Sequence, residues 1–249
     1  MTEGIINYVK FPAVTNSTED GLLASGGNLE VDTLVSAYAQ GIFPWFNDDQ
    51  PILWWSPNPR MVLYPENIKI SRSLRKLIKQ DRFEIRCNTQ FEKVITQCAL
   101  RGAKSLDDIS ETTWITQSMH QAYNRLHNDG FAHSIEVFQD NKLVGGLYGL
   151  ALEDVFFGES MFSLVSNASK IALSALCHHL IRKNFKIIDC QVASDHLFSM
   201  GAEEIERSDF LKNLEKINNT LKDLNASLAN HQFANGIENS LFSAYNSTN

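Results

Sequence analysis

Between Ala132 and Phe162 the chain has room for three β-strands and almost nothing else. Ala132–Phe138, Leu143–Leu150 and Val155–Phe162 are strand-like segments, and Asp140-Asn141 marks a turn between the first two. Links this short cannot hold a crossover, so the strands must run antiparallel, as a meander. Helical periodicity brackets them. Before the meander, Trp114–His127 puts Ile115, Met119, Ala122 and Leu126 on one stripe, and Asn128-Asp-Gly130 ends it. After it, Ala168–Lys183 turns Ile171, Ala175, Leu176 and Leu180 inward. A buried strand, Phe185–Val192, comes next, then a short helix and turn over Ser194–Ala202 and a final strand near Ala202–Glu206.

The first sixty residues read differently. They contain Pro12, Pro44, Pro51, Pro57 and Pro59 of the six prolines, Gly21, Gly26, Gly27 and Gly41, and Trp45, Trp54 and Trp55 of the four tryptophans. One helix is expected there, with Asp32 capping Thr33–Gln40 and Gly41 stopping it. The rest should be turns and short strands. We expect an α/β (α+β) protein: a small N-terminal domain over residues 1–60 and a larger domain over 61–249 with a mixed, largely antiparallel sheet. The tail beyond Ala229, rich in Asn and Ser, is expected to be loosely ordered. The order helix, meander, helix, strand, helix resembles the acyltransferase fold of the GNAT superfamily. Those enzymes hold the CoA pyrophosphate on a Gly-rich turn, where backbone N–H groups reach phosphate. Ser160–Ser169, the corresponding stretch, has no glycine, so CoA is not the expected acyl donor.

A net charge of -7 and a pI near 5.5 argue against indiscriminate nucleic-acid binding. One stretch runs the other way: Lys69, Arg72, Arg75, Lys76, Lys79, Arg82 and Arg86 are opposed only by Asp81 and Glu84. Lys69, Arg72, Lys76 and Lys79 have the spacing of one helix face, either simply solvated or a phosphate-binding stripe. No apolar run approaches the roughly 18 residues of a membrane span. The N-terminus lacks the basic start and apolar stretch of a signal peptide, so a cytoplasmic protein is expected. Cys87, Cys98, Cys177 and Cys190 show no pairing pattern, and the adjacent His178 and His179 diverge by about 100° on a helix. Neither disulfide nor metal is expected.

Three further sets of residues go together. The first joins Gly21-Leu-Leu-Ala-Ser-Gly-Gly-Asn-Leu29, Ala37-Tyr-Ala-Gln-Gly-Ile-Phe-Pro-Trp-Phe46 and Leu53-Trp-Trp-Ser-Pro-Asn-Pro-Arg60. The second joins Trp114-Ile-Thr116, Ala132-His-Ser-Ile-Glu-Val137 and Leu143-Val-Gly-Gly-Leu-Tyr-Gly149. The third joins Gly158-Glu-Ser-Met-Phe-Ser163, Asn167-Ala-Ser-Lys170, Ile188-Asp-Cys-Gln191 and Asp195-His196. In this order they resemble the leucyl/phenylalanyl-tRNA–protein transferase family. The resemblance implies transfer of Leu or Phe, and Met less readily, from aminoacyl-tRNA to proteins beginning with Arg or Lys. The product is a bacterial N-end-rule degradation signal. It also implies a cytoplasmic enzyme with no metal or organic cofactor and a GNAT-like C-terminal domain. A monomer is expected.

The same resemblance marks Asp189 and Gln191 as catalytic. At i and i+2 of a strand they should share a face, roughly 6.5 Å apart, with Cys190 on the other. The plain alternative is a polar patch at a sheet end. An aspartate near its reference pKa of about 3.9 is a weak base, so Asp189 is expected to orient the amine and Gln191 and to take a proton late. Gln191 would hold the nucleophile or the carbonyl oxygen. Glu159 suits the cationic N-terminal residue of the acceptor, or else a structural ion pair with a nearby Lys or Arg. Tyr38, Trp45, Trp114 and Tyr123 match positions by which the family holds the terminal adenosine and shapes the site, with core packing the competitor for Tyr123. Leu147, Phe156, Met161 and Leu173 would line the pocket for the transferred side chain, or be plain core. Once RNA is implied, Arg72, Arg75, Lys76 and Lys79 become expected tRNA phosphate contacts. Two rivals remain: an acyltransferase using a thioester, and a tRNA-binding factor without chemistry.

Overall fold

A computed structural model describes residues 6–80, 82–100, 115–222, 229 and 232–237. Its larger sheet is assembled around the meander. Strands β6 (Ala132–Gln139), β7 (Lys142–Leu152) and β8 (Val155–Ser163) pair antiparallel in sequence. Asp140 and Asn141 make the first turn at φ 50 and φ 60, the left-handed conformation of a two-residue hairpin, which short polar side chains tolerate. Helix α5 (Ala168–Arg182) then crosses over, so that β9 (Ile187–Gln191) lies parallel to β8. Two earlier strands join the sheet: β4 (Arg60–Leu63) beside β9, and β5 (Glu84–Cys87) beside β6. Strand β10 (Glu203–Ile205) closes the far edge, giving the order β10-β4-β9-β8-β7-β6-β5. This is the mixed, mostly antiparallel sheet expected, with the helix–meander–helix–strand–helix order.

Side chains alternate across this sheet, and each face buries its own cluster. On one face Tyr148, Leu150, Val155, Phe157 and Ile187 pack with α1 (Val31–Ala39), α3 (Phe91–Ala99) and α4 (Gln117–Asn128). On the other, Leu147, Ala151, Phe156 and Ile188 pack with α2 (Arg72–Ile78) and α5. A separate small sheet, β1-β3-β2, is formed by Leu22–Ser25, Leu53–Trp55 and Phe43–Pro44. The chain continues with α6 (Asp195–Ser199), α7 (Arg207–Lys212) and α8 (Glu215–Lys222).

Several boundaries differ from expectation. Helix α1 starts at Val31 with Glu30 at its N-cap position, and Asp32 lies in the first turn, accepting a hydrogen bond from Asn7 at 2.8 Å. It favours the helix by its charge at the positive end of the dipole rather than by capping. Gly41 does follow the helix at φ 76. Helix α4 begins at Gln117, because the Thr116 hydroxyl accepts from the Met119 N–H and caps it. Ser71 caps α2 likewise, leaving Lys69 outside the helix, so the expected face is reduced to residues from Arg72 onward. In the tail, Phe233 and Ile237 are buried, so residues 232–237 are anchored rather than loose.

Two irregularities interrupt the sheet at β8. Strands β8 and β9 pair only from Val155–Phe157 and Ile187–Asp189, after which β8 runs on to Ser163 paired with β7 on one side and unpaired on the β9 side. The β7–β8 ladder pairs Tyr148 with Ser160 and Gly149 with Gly158, so Glu159 is an extra residue bulged out of the ladder. Gly149 permits this: a Cβ there would collide with the Phe157 carbonyl oxygen.

Candidate active site

The bulge aims Glu159 at three donors. The Tyr38 hydroxyl donates to its Oε1 at 2.7 Å, the Tyr123 hydroxyl to its Oε2 at 2.8 Å, and the Gln191 amide to Oε1 at 2.8 Å. The two tyrosine hydroxyl oxygens also lie against one another, and since each phenol has one proton, that contact becomes a third hydrogen bond of the ring when the Glu159 carboxyl is protonated. No cation accompanies this carboxylate in these contacts, so its charged form is poorly compensated. Desolvation raises its pKa to about 7, the three hydrogen bonds pulling it down and the neighbouring Asp189 charge pushing it up.

Asp189 is held differently. Arg60 from β4 donates through Nε to Oδ1 at 2.8 Å and through Nη2 to Oδ2 at 2.6 Å, with both side chains fully buried. The guanidinium lies over the Phe43 ring at 4.8 Å and the Phe210 ring at 4.9 Å, a stacked setting suited to a planar, weakly hydrated cation. Gln191 joins the two carboxylates, since its backbone N–H donates to Asp189 Oδ1 at 3.0 Å while its side chain holds Glu159. The β4–β9 ladder slips between Met61 and Val62, and Gln191 sits at φ 65. A second bulge thus turns the end of β9, and Cys190 contributes to the opposite face of the strand.

Where β8 and β9 part, a cleft of about 90 Å³, partly open to solvent, enters the sheet. Leu147, Phe156, Met161 and Leu173 all line it, and Glu159 and Cys190 share its wall. The four apolar residues therefore come together at one place, and Glu159 is the member of the Glu159–Gln191–Asp189 node that reaches it.

Other expected residues fare differently. Tyr38 and Tyr123 are 0% exposed, so neither ring has a face free for a base; their hydroxyls serve Glu159 instead. Both phenols are raised well above the usual value by burial, then by the Glu159 charge. Trp45 is 43% exposed and stands 5.8 Å from Trp55, so it does present an aromatic surface. Trp114 lies outside the described residues. Arg72, Arg75, Lys76 and Lys79 are all exposed on and just after α2, whereas Arg86 is turned to Glu84 and the Phe138 ring. The alternative for Glu159, a structural ion pair with Lys or Arg, is not seen among the described residues, where its partners are hydroxyl and amide donors. Sequence reasoning passed over Arg60, whose signal was a cation opening the apolar strand Arg60-Met-Val-Leu63. It also passed over Tyr148, fully buried with no hydrogen-bond partner for its hydroxyl among the described residues.

A carboxyl with a pKa of about 7 on the wall of an apolar cleft can exchange a proton beside a bound apolar group. The family model described as leucyl/phenylalanyl-tRNA protein transferase matches residues 62–215, and that of its N-terminal domain matches residues 27–58. A protein named leucyl/phenylalanyl-tRNA–protein transferase from Azoarcus sp. (strain BH72) is 50% identical over 208 residues, 83% of this chain and 86% of its own. One of the same name from Nitrosospira multiformis is 52% identical over 203 residues, 82% of this chain and 85% of its own. A solved GCN5-related N-acetyltransferase from Kribbella flavida matches over 67% of this chain and 58% of its own at 8% identity, with a TM-score of 0.36. The chain belongs to the leucyl/phenylalanyl-tRNA–protein transferase family. It is an aminoacyltransferase. Among the described residues, no helix is long and apolar enough to cross a membrane.

Proposed function

We propose that this enzyme moves Leu or Phe, and Met more weakly, from aminoacyl-tRNA to the α-amino group of proteins beginning with Arg or Lys, marking them for N-end-rule degradation in the cytoplasm. The observation that carries the reading is the apolar cleft with Glu159 on its wall, tied through Gln191 to Asp189. A donor side chain seated among Leu147, Phe156, Met161 and Leu173 brings its ester carbonyl to that node. The acceptor nitrogen attacks the carbonyl carbon, the bond to the ribose oxygen breaks, and that oxygen leaves with a proton.

Asp189, gripped by Arg60, fixes Gln191 through the Gln191 N–H, and Gln191 orients the amine or the carbonyl oxygen. Glu159, with a pKa of about 7, is able to take the proton the amine gives up, and its ionised form favours a cationic acceptor residue. An α-amino group with a pKa near 7.7–8.0 is already about a tenth neutral at pH 7, so no strong base or metal is invoked. Trp45 offers the stacking surface for the terminal adenosine, and Arg72, Arg75, Lys76 and Lys79 contact tRNA phosphates. Residues 1–60 and 61–249 act as two domains of a monomer.

Single-turnover transfer to a peptide beginning with Arg tests the reading, with leucyl-tRNA and acetyl-CoA offered in parallel. Transfer from leucyl-tRNA alone is expected, and Asp189→Ala and Gln191→Ala should each lower its rate strongly. Transfer from acetyl-CoA, or wild-type rates in both variants, would overturn it.

A further inference from the structure

The tail past α8 returns to the sheet at one aromatic residue. Phe233 is 1% exposed, and its ring lies 4.3 Å from His133, 5.7 Å from Phe156, 5.1 Å from His179 and 5.9 Å from Phe185. The rings of His133 and Phe156 are near-parallel to it, at 26° and 23°. Three side chains at the end of α5 hold the segment by its carbonyls. His179 donates to Phe233 O at 2.5 Å, Arg182 to Gly236 O at 2.9 Å, and Lys183 to Gln232 O at 3.5 Å. Ile237 is fully buried beyond it. This is a built seat, and it lies past residue 215, where the family match ends.

Phe156 is the member of that stack that also lines the cleft. We propose that Phe233 is a positioning residue that sets donor preference: it backs the Phe156 ring and so limits the size of side chain the cleft accepts. This rests on reading the cleft as the donor side-chain site. Close-packed interiors pass on a lost ring as displacement of its neighbours, because the vacated volume is partly refilled. With the Phe233 ring gone, Phe156 can withdraw toward the vacated space, deepening the cleft and favouring Phe over Leu.

The experiment measures kcat/KM for leucyl-adenosine and phenylalanyl-adenosine, minimal donors without tRNA phosphates. It compares wild type, Phe233→Ala, Phe233→Leu and Phe156→Ala, each well below its own melting temperature. The Phe/Leu ratio is expected to rise about tenfold in Phe233→Ala, the low end of what one methylene of room confers, and less in Phe233→Leu. A merely structural role would lower both donors equally. If Phe156→Ala moves the ratio while both Phe233 variants stay within about twofold of wild type, the inference is overturned and the cleft reading stands. If Phe156→Ala also leaves the ratio unmoved, the cleft reading fails and takes the inference with it. Should Phe233→Ala not fold, Phe233→Leu decides.

Discussion

Glu159 and Asp189 stand on neighbouring strands, yet the protein compensates their charges in opposite ways. Asp189 has a guanidinium at hydrogen-bond distance from both oxygens, itself stacked between two phenyl rings. Among the described residues Glu159 is met by dipoles: two hydroxyls and an amide. A bidentate guanidinium offsets the charge of Asp189 directly, whereas neutral donors leave that of Glu159 poorly compensated, and desolvation raises its pKa to about 7. The pair thereby divides the labour of a site that must both hold a geometry and handle a proton. Asp189 is the fixed member and Glu159 the adjustable one, with Gln191 tying one to the other.

The strongest way to break this contrast is to remove the cation. Arg60→Met would leave Asp189 buried and unpaired, a change that typically costs about 3–5 kcal/mol. Adding Asp189→Leu to that variant should restore much of the loss, since an apolar pair of similar volume can replace a buried ion pair. Urea denaturation of wild type and the two variants measures it. A cost below about 1 kcal/mol for Arg60→Met would mean that Asp189 does not depend on the guanidinium.

Glu159 supplies a second test, through pH. Folding raises its pKa from 4.5 to about 7, so between those values the folded state binds more protons than the unfolded one. The stability this group permits is full below about 4.5 and is lost as pH rises through 7. Glu159→Gln is neutral throughout. Its stability relative to wild type should therefore climb between pH 5 and pH 8, by on the order of 2 kcal/mol once partial solvent exposure is discounted. Parallel stability curves for the two proteins would show that Glu159 does not titrate in this range.

Much of the frame was legible because its causes are local. Short links forced the meander, Asp140-Asn141 marked its turn, and apolar spacing located α5. Asp189 and Gln191 stood out as polar residues in an apolar strand. Their partners did not, because the pairing of Arg60 with Asp189 spans 129 residues and that of Tyr38 with Glu159 spans 121. No periodicity reports such distances. Aromatic spacing could place Tyr38 and Tyr123 near a site, but it cannot distinguish a ring offered to a base from a hydroxyl turned to a carboxylate. The bulges that aim Glu159 and turn Gln191 are ladder slips, invisible until strand register is known. The Asn- and Ser-rich tail hid one aromatic anchor in a polar composition.

The finest test of the contrast removes one hydroxyl and leaves the rest of the node standing. In Tyr123→Phe, Glu159 keeps the Tyr38 and Gln191 donors but loses the bond to Oε2. One hydrogen bond is worth about 1 kcal/mol, so the stability change should be small. Its direction on the carboxyl is the informative part. The Tyr123 hydroxyl favours the charged form, so without it the Glu159 pKa should move further up from about 7. Carboxyl-labelled Glu159, followed by NMR titration in wild type and Tyr123→Phe, reads that shift directly. A downward shift at Glu159 would mean that the hydroxyls crowd the carboxylate instead of holding it.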